Sequence, residues 1–493
     1  MSHYYIACDL GADSGRVMLG HLDKGRLELE EVHRFPTGSS RVFGTLRLNV
    51  QRIFGELKIG LKKVADRNLK PESLSVDSWG VDYVLFNSKN PQLSVPFQYR
   101  DARTDATYER ALKKATPEMI FENTGTQFMS INTLYQFVDD LENNPEVIAL
   151  ADQFLNIGDY LNYLFCGVAR AEESIASTTQ IYNPRTRAWS RELIELFGFK
   201  EAMFPGIVPS GSVLAPLLPD IASETHLEEV EVVATCTHDT GCAVAAVPAE
   251  GDDWAYLSSG TWSLAGVELP EPLINPAVLA ANFTNESGFE GIARFLKNTP
   301  GMWLLQESKR TWGIRGIDLT YDEIDRLAAE AEPLRSIIYP SAARFLKPDQ
   351  MPEKIQSYCA ETGQHVPETP GQIARAAMEG LALSYRHVLE EICALTGRTI
   401  RKLHIVGGGS KNLLLNQLAA DATGCTVITG PVEATAIGNV LIQAIALGHL
   451  KSLDDLRKTV RASFPVITYE PNAATAKTWE DAYERYKGFT VMS

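Results

Sequence analysis

The 493-residue sequence has no apolar run of about 18 residues or more, the length a membrane-spanning helix needs, so no membrane span is expected. Its opening lacks the basic stretch and long apolar core of a signal peptide. Tyr4 to Leu10 reads instead as a strand, and the cytoplasm is the expected location. No CxxC pair occurs. The seven cysteines (Cys8, Cys166, Cys236, Cys242, Cys359, Cys393 and Cys425) are odd in number, and several lie inside apolar runs. No disulfides are expected; the pattern suits buried thiols in a reducing compartment. Cys236 and Cys242 flank His238, but no second pair of ligands lies close in sequence, so no zinc site is expected there. Positive charge is scarce as well: 46 Lys and Arg stand against 62 Asp and Glu, a formal net charge of −16. Such a surface repels phosphate backbones and anionic lipid, which argues against nucleic acid and membrane as partners. A nucleotide binds such a protein only where local backbone N–H groups and a few cations override the field. No short fixed repeat is present, so the chain is not a solenoid.

What is present is the profile of a globular protein, 45% apolar and 22% charged. The length suggests two domains of roughly 200–250 residues each. Tyr4 to Leu10, Arg16 to Leu22 and the Leu27, Leu29, Phe35 parity predict three strands. Ile53, Leu57, Leu61 and Val64 predict a helix over residues 50–67. Strand-like pieces follow at Ser73 to Ser78, Val81 to Asn87 and Val230 to Ala234. Then a second hairpin appears, Trp254 to Leu257 and Trp262 to Leu269, resembling the first. This weak internal duplication places a lobe boundary near residues 245–252, giving lobes of 1–247 and 248–493. A long helix is predicted with Thr369 as N-cap, Pro370 as its first residue and Gly397 as its stop. Strands followed by helices, twice over, predict α/β lobes.

Five segments carry chemistry. Asp9-Leu10-Gly11-Ala12-Asp13-Ser14-Gly15-Arg16 is a tight turn after a strand. Its backbone N–H groups suit an anion, Asp9 a metal-bound water and Arg16 a phosphate. Ser258 to Ser263, around Thr261, is a second such turn. Gly407-Gly408-Gly409-Ser410 follows a strand and lets the backbone lie flat against a planar ring; it is neither a Walker loop nor GxGxxG. Thr237-His238-Asp239-Thr240-Gly241 puts a carboxylate between a strand and a helix, where α/β folds place ligands. Such a group suits proton acceptance in phosphoryl transfer. Asp77-Ser78-Trp79-Gly80-Val81-Asp82-Tyr83 sets aromatic rings beside acceptors, a pattern that suits a polyhydroxylated ligand. Each segment alone has an ordinary structural reading: a hairpin turn, a glycine-rich strand-to-helix turn, a helix cap at Asp239, a strand pair with a buried Trp79.

Taken together and in order, the segments resemble the FGGY carbohydrate kinase family over essentially the whole length. The pieces that carry the resemblance are DLGADSGR from Asp9, DSWGVDY from Asp77, YRDART from Tyr99, THDT from Thr237, SSGTWSL from Ser258, LKN from Leu296 and IVGGGSKN from Ile405. The resemblance implies an α/β, two-lobed actin-like ATPase fold of the ribonuclease H type, its lobes duplicated around a central cleft. It implies MgATP as phosphoryl donor and a small-molecule ketose as acceptor. DSWGVDY with YRDART is closest to the members that phosphorylate L-rhamnulose at O1; L-fuculose and L-ribulose are the alternatives. Asp239 then matches the proton acceptor. Gly80, His238, Thr240 and Asn298 match sugar-site positions. Ala12, Asp13, Ser14, Gly15, Arg16, Thr261, Gln306 and Gly408 match ATP-site positions, and Asp9 the carboxylate near Mg²⁺. Related kinases commonly carry Ser or Thr where Asp13 stands, so Asp13 contributes by its backbone. A non-catalytic actin-like nucleotide switch is the contrasting reading, and the oligomeric state is not legible.

Overall fold

In the computed structural model, which describes residues 2–490, the chain divides by internal contacts into two units. The first contains Met1–Pro248, Glu268–Phe295 and Ala434–Phe464; the second contains Ala249–Val267, Leu296–Glu433 and Pro465–Ser493.

The first unit is built on a six-stranded sheet. Its order is Ser212–Pro216, Glu231–Ala234, Pro71–Ser78, Ser2–Leu10, Ser14–Asp23, Arg26–Pro36. Glu231–Ala234, Pro71–Ser78 and Ser2–Leu10 run parallel, and the remaining neighbours are antiparallel. The central strands Ser2–Leu10, Ser14–Asp23 and Pro71–Ser78 are largely buried on both faces, where helices cover them, while the edge strand Arg26–Pro36 is mostly exposed or half-buried. The helix Val50–Ala65 packs on one face, where a Cβ at Gly60 would lie 2.4 Å from Val17. Its apolar residues Ile53, Leu57, Leu61 and Val64 are the buried ones, as their spacing predicts. The helix Ala434–Ala446 packs on the other face, where a Cβ at Gly20 would lie 2.6 Å from Val440. This helix also crosses the short helix Asp239–Ala245 backbone to backbone. A Cβ at Gly438 would fall 1.9 Å from the Cys242 carbonyl oxygen, so only glycine permits the crossing.

The second unit repeats the plan. Trp254–Ser259 and Trp262–Leu269 form a hairpin. Lys402–Val406 runs parallel to its first strand, Thr426–Thr429 parallel to that, and Ile467–Tyr469 closes the edge antiparallel. Helix Pro370–Thr396 starts at Thr369, whose side chain accepts from the Gln372 N–H while Gln372 reaches back. It stops at Gly397, left-handed at φ 70°. The cap, the first-turn proline and the terminal glycine all stand where the sequence sets them. The strand piece predicted at Val81 to Asn87 is shorter, Tyr83–Phe86, and pairs with Gln153–Asn156 instead of joining the main sheet. None of the described helices is long and apolar enough to cross a membrane.

Candidate active site

The three parallel strands of the first unit end side by side, and each ends in a carboxylate segment: Asp9, Asp77 and, after Ala234, Thr237-His238-Asp239. Asp9 is paired with Asp77 in the parallel register. The Ser78 N–H donates to the Thr237 carbonyl at 2.8 Å, which draws the His238 backbone alongside. Ligands of open α/β sheets bind beyond such strand ends.

Asp239 is the first residue of helix Asp239–Ala245, with His238 as its N-cap. Its Oδ1 accepts from the Thr240 N–H at 2.6 Å and lies 3.5 Å from His238 Nε2. Its side chain keeps 30% exposure. Burial pushes its carboxyl above the ordinary aspartate range, opposed by His238 and the Thr240 N–H. Such a group is a better proton acceptor than a free aspartate.

Residues that the motifs do not contain hold this corner. His238 Nδ1 lies 3.1 Å from Glu286 Oε2 and 3.2 Å from the Arg294 guanidinium, and Arg294 lies 2.9 Å from Glu286. Burial opposes ionisation of Glu286, but Arg294 and His238 outweigh it and hold its pKa below the usual value. On the other side, fully buried Glu172 accepts from the N–H of Thr237 at 2.8 Å and from Ser174, Ile175 and Ser210. Asp159 accepts from Thr237 Oγ1 at 3.0 Å. The Thr237–Asp239 segment is thus fixed by carboxylates far away in sequence.

Asp77 is buried, and its Oδ2 accepts from Asn439 on helix Ala434–Ala446 at 2.6 Å. Burial, with the Asp9 carboxylate next to it, pushes the Asp77 carboxyl well up. Among the described residues its Oδ1 has no hydrogen-bond partner. A buried, unsatisfied carboxylate oxygen beside a second carboxylate is the hard oxygen donor set that suits hydrated Mg²⁺. Arg16 lies across the strand pair from Asp9 and is ion-paired with it.

In the first turn the Gly11 N–H donates to the Ser14 carbonyl at 2.9 Å, and Thr37 donates to the Gly11 carbonyl at 2.6 Å. Ala12, Ser14 and Arg16 are half-buried, Gly15 is buried and Asp13 is exposed. Gly80 is also forced: a Cβ there would meet Thr178 Oγ1 at 2.7 Å. The aromatic rings of this segment do not form an open sugar platform. Trp79 is 7% exposed and donates to Asp82 Oδ2 at 2.8 Å, burial pushing the Asp82 carboxyl up to about 7. Tyr83 is buried and donates to Asp140. Arg103, from YRDART, is used internally too, on Asp140, Asp139 and Gln136.

The second unit brings its two turns together. Ser258 pairs with Val406, and a Cβ at Gly409 or Gly407 would fall 2.0 or 2.9 Å from Ser259 atoms. Gly408 between them is exposed, with nothing within 4 Å of an added Cβ, an open backbone surface. The Thr261 carbonyl accepts from the Gly301 N–H at 3.1 Å. Gln306 lies in the first turn of helix Trp303–Ile314, and Asn298 in the part of strand Ala293–Pro300 that belongs to this unit. Cys236, Cys242 and His238 do not converge as ligands; the Cys242 thiol donates to the Cys236 carbonyl.

Two α/β units, each opening with a hairpin that feeds parallel strands, define the actin-like ATPase fold. Solved structures agree. A xylulose kinase from Lactobacillus acidophilus superposes with a TM-score of 0.82 at 16% identity, covering 99% of this chain and 97% of that one. Plasmodium falciparum glycerol kinase with ADP superposes with a TM-score of 0.78 at 14% identity, covering 98% and 97%. The profiles of the N-terminal and C-terminal domains of the FGGY family of carbohydrate kinases match residues 4–246 and 255–447, and the chain belongs to that family. Among its relatives, a rhamnulokinase from Bacteroides thetaiotaomicron is 42% identical over 487 residues, covering 99% of each chain. A rhamnulokinase from Bacillus subtilis is 37% identical over 481 residues, covering 98% of each. The chain is a carbohydrate kinase, with ATP and a sugar as its small-molecule substrates.

Proposed function

We propose that this kinase transfers the γ-phosphoryl group of ATP to O1 of L-rhamnulose, with Asp239 as the general base. What carries the reading is the Asp239–His238 pair at a parallel strand end, its carboxyl raised by burial, backed by Glu286 and Arg294. The full-length similarity to rhamnulokinases supports the choice of sugar. Asp239 accepts the O1 proton as that oxygen forms its bond to the γ-phosphorus, and the bond to the β,γ-bridging oxygen breaks to release ADP. His238, Thr240, Gly80 and Asn298 orient the sugar hydroxyls. Residues 12–16 and Thr261 receive the phosphates, and Gln306 and Gly408 the adenosine. Asp9 and Asp77 would hold Mg²⁺, which would supply positive charge against the phosphates. The protein acts in the cytoplasm, and its two sequence lobes, 1–247 and 248–493, divide where the longest segment of the first unit ends, the first unit also borrowing Glu268–Phe295 and Ala434–Phe464 from the later lobe.

A panel of ketoses tests the sugar. A methyl pocket supplies about 10–200-fold discrimination, and each misplaced hydroxyl leaves a buried partner unpaired at about 1–3 kcal/mol. L-rhamnulose is therefore expected to exceed L-fuculose, L-ribulose and D-xylulose in kcat/KM. A better rate with L-fuculose or L-ribulose moves the assignment to that sugar. Absence of sugar-dependent ADP release with any of them leaves a nucleotide switch.

A further inference from the structure

At the other end of the strand that carries Asp9, six residues away and so about 20 Å distant, three side chains from remote parts of the first unit meet. Strand Ser2–Leu10 pairs with Pro71–Ser78 in a register that shifts between Tyr4 and Tyr5: Tyr4 faces Pro71 and Tyr5 faces Ser73. Glu72 is the extra residue of this irregularity, and such a bulge re-aims a side chain. Its Oε1 lies 2.7 Å from His3 Nδ1. The third member, His449, follows helix Ala434–Ala446. Gly448, at φ 79°, turns the chain, and the His449 N–H donates to the Ala444 carbonyl at 2.8 Å.

The His3 and His449 rings stack with centroids 3.6 Å apart and planes 24° from parallel. His449 Nε2 lies 3.5 Å from Glu72 Oε2. One ligating atom from each residue lies within 4.8 Å of the others, and among the described residues no other three His, Cys, Asp or Glu side chains do so. We propose that His3, Glu72 and His449 form a site for one first-row divalent cation of the zinc class, which pins the end of helix Ala434–Ala446 to the two strands.

Three features support a ligand site over a chance contact. The donor set is two imidazoles and a carboxylate, which suits zinc, nickel or copper and not the oxygen-seeking Mg²⁺. Three protein ligands leave the fourth tetrahedral position to water. The side chains of His3, Glu72 and His449 are 19%, 39% and 20% exposed, open enough for an ion to enter. Finally, the Tyr5 hydroxyl lies 2.6 Å from His449 Nδ1. It thereby orients the ring and leaves Nε2, the nitrogen that faces Glu72, for the ion; metal-bound histidines are oriented in this way by a partner on the second nitrogen.

The test is calorimetric titration of chelator-treated protein with zinc chloride, with a thermal melt and the visible spectrum of the cobalt form. Saturation at one equivalent, a raised Tm and a tetrahedral cobalt band are expected. His449→Ala and Glu72→Gln should each abolish the one-equivalent phase. Tyr5→Phe should weaken it about 10–100-fold. His21→Ala, which removes a histidine bound instead to Ser2 and Glu28, should leave it unchanged. If wild type shows no saturable phase, or if Glu72→Gln, folded by circular dichroism, binds as tightly as wild type, the site is refuted. Equal loss in His21→Ala would likewise refute it, as binding to scattered histidines.

Discussion

Arg294→Met keeps the volume of the side chain and removes its charge. Arg294 is 1% exposed and its partner Glu286 6%, so the carboxylate left behind stays out of water. In the intact protein, burial works against the Glu286 anion, and Arg294 with His238 overcomes it. Without Arg294, burial is opposed by His238 alone and the Glu286 pKa rises. Breaking one side of a buried pair costs about 3–5 kcal/mol, a large share of the about 5–15 kcal/mol that holds a domain together. Urea unfolding followed by circular dichroism measures this loss. Arg294→Met with Glu286→Gln removes both charges, so the double variant should be more stable than the sum of the single losses, by about 0.5–3 kcal/mol. The pH dependence should change sign as well. In wild type the lowered Glu286 pKa contributes stability that is present above the unfolded glutamate value and lost as pH falls through the folded one. In the variant the pKa is raised, so the contribution is present at low pH and lost as pH rises through the folded value. An Arg294→Met protein within about 0.5 kcal/mol of wild type, with the same pH profile, would refute the reasoning.

Three further outcomes are expected. Asp239→Asn folds normally, loses about 10²–10⁴-fold in kcat and keeps its KM for ATP; in wild type, kcat/KM for the sugar should begin to fall with acid at a higher pH than an ordinary aspartate gives, because the Asp239 pKa is raised. Near-normal kcat in the variant removes Asp239 as the base. Excess EDTA abolishes turnover and added Mg²⁺ restores it; full activity in EDTA defeats the role given to Asp9 and Asp77. Gly438→Ala puts a methyl group 1.9 Å from the Cys242 carbonyl oxygen, and overpacking of this kind costs about 1–3 kcal/mol or more, seen as a lower Tm; an unchanged melt shows that the two helices separate freely.

Where local chemistry decides structure, the sequence was legible. Thr369, Pro370 and Gly397 bound a helix through their own backbone requirements, and Ile53, Leu57, Leu61 and Val64 bury the face that their spacing defines. The position of the His238–Asp239 pair at a strand end is legible because it sits between an apolar strand and an apolar helix. Glu172, Asp159, Glu286 and Arg294 were missed because their partners are remote: Glu172 stands 65 residues before Thr237 and Arg294 stands 56 after His238. A lone charge in a sequence carries no sign that it will be buried. Trp79 and Tyr83 misled for the complementary reason. An aromatic beside an acceptor suits a sugar and suits a core equally, and here Asp82 and Asp140 take their polar atoms inside.

The first unit is not finished when its first 248 residues are made. It also takes in Glu268–Phe295 and Ala434–Phe464. Until helix Ala434–Ala446 arrives, one face of the six-stranded sheet is bare, and Asp77 lacks Asn439. At about 5–20 residues per second of synthesis, that face waits about 10–40 seconds after Pro248 leaves the ribosome. The nascent chain therefore carries an open apolar surface until that helix is made. For the same reason, residues 1–248 expressed alone are expected to aggregate, which light scattering of the truncated chain would show, however natural a cut after Pro248 looks on paper.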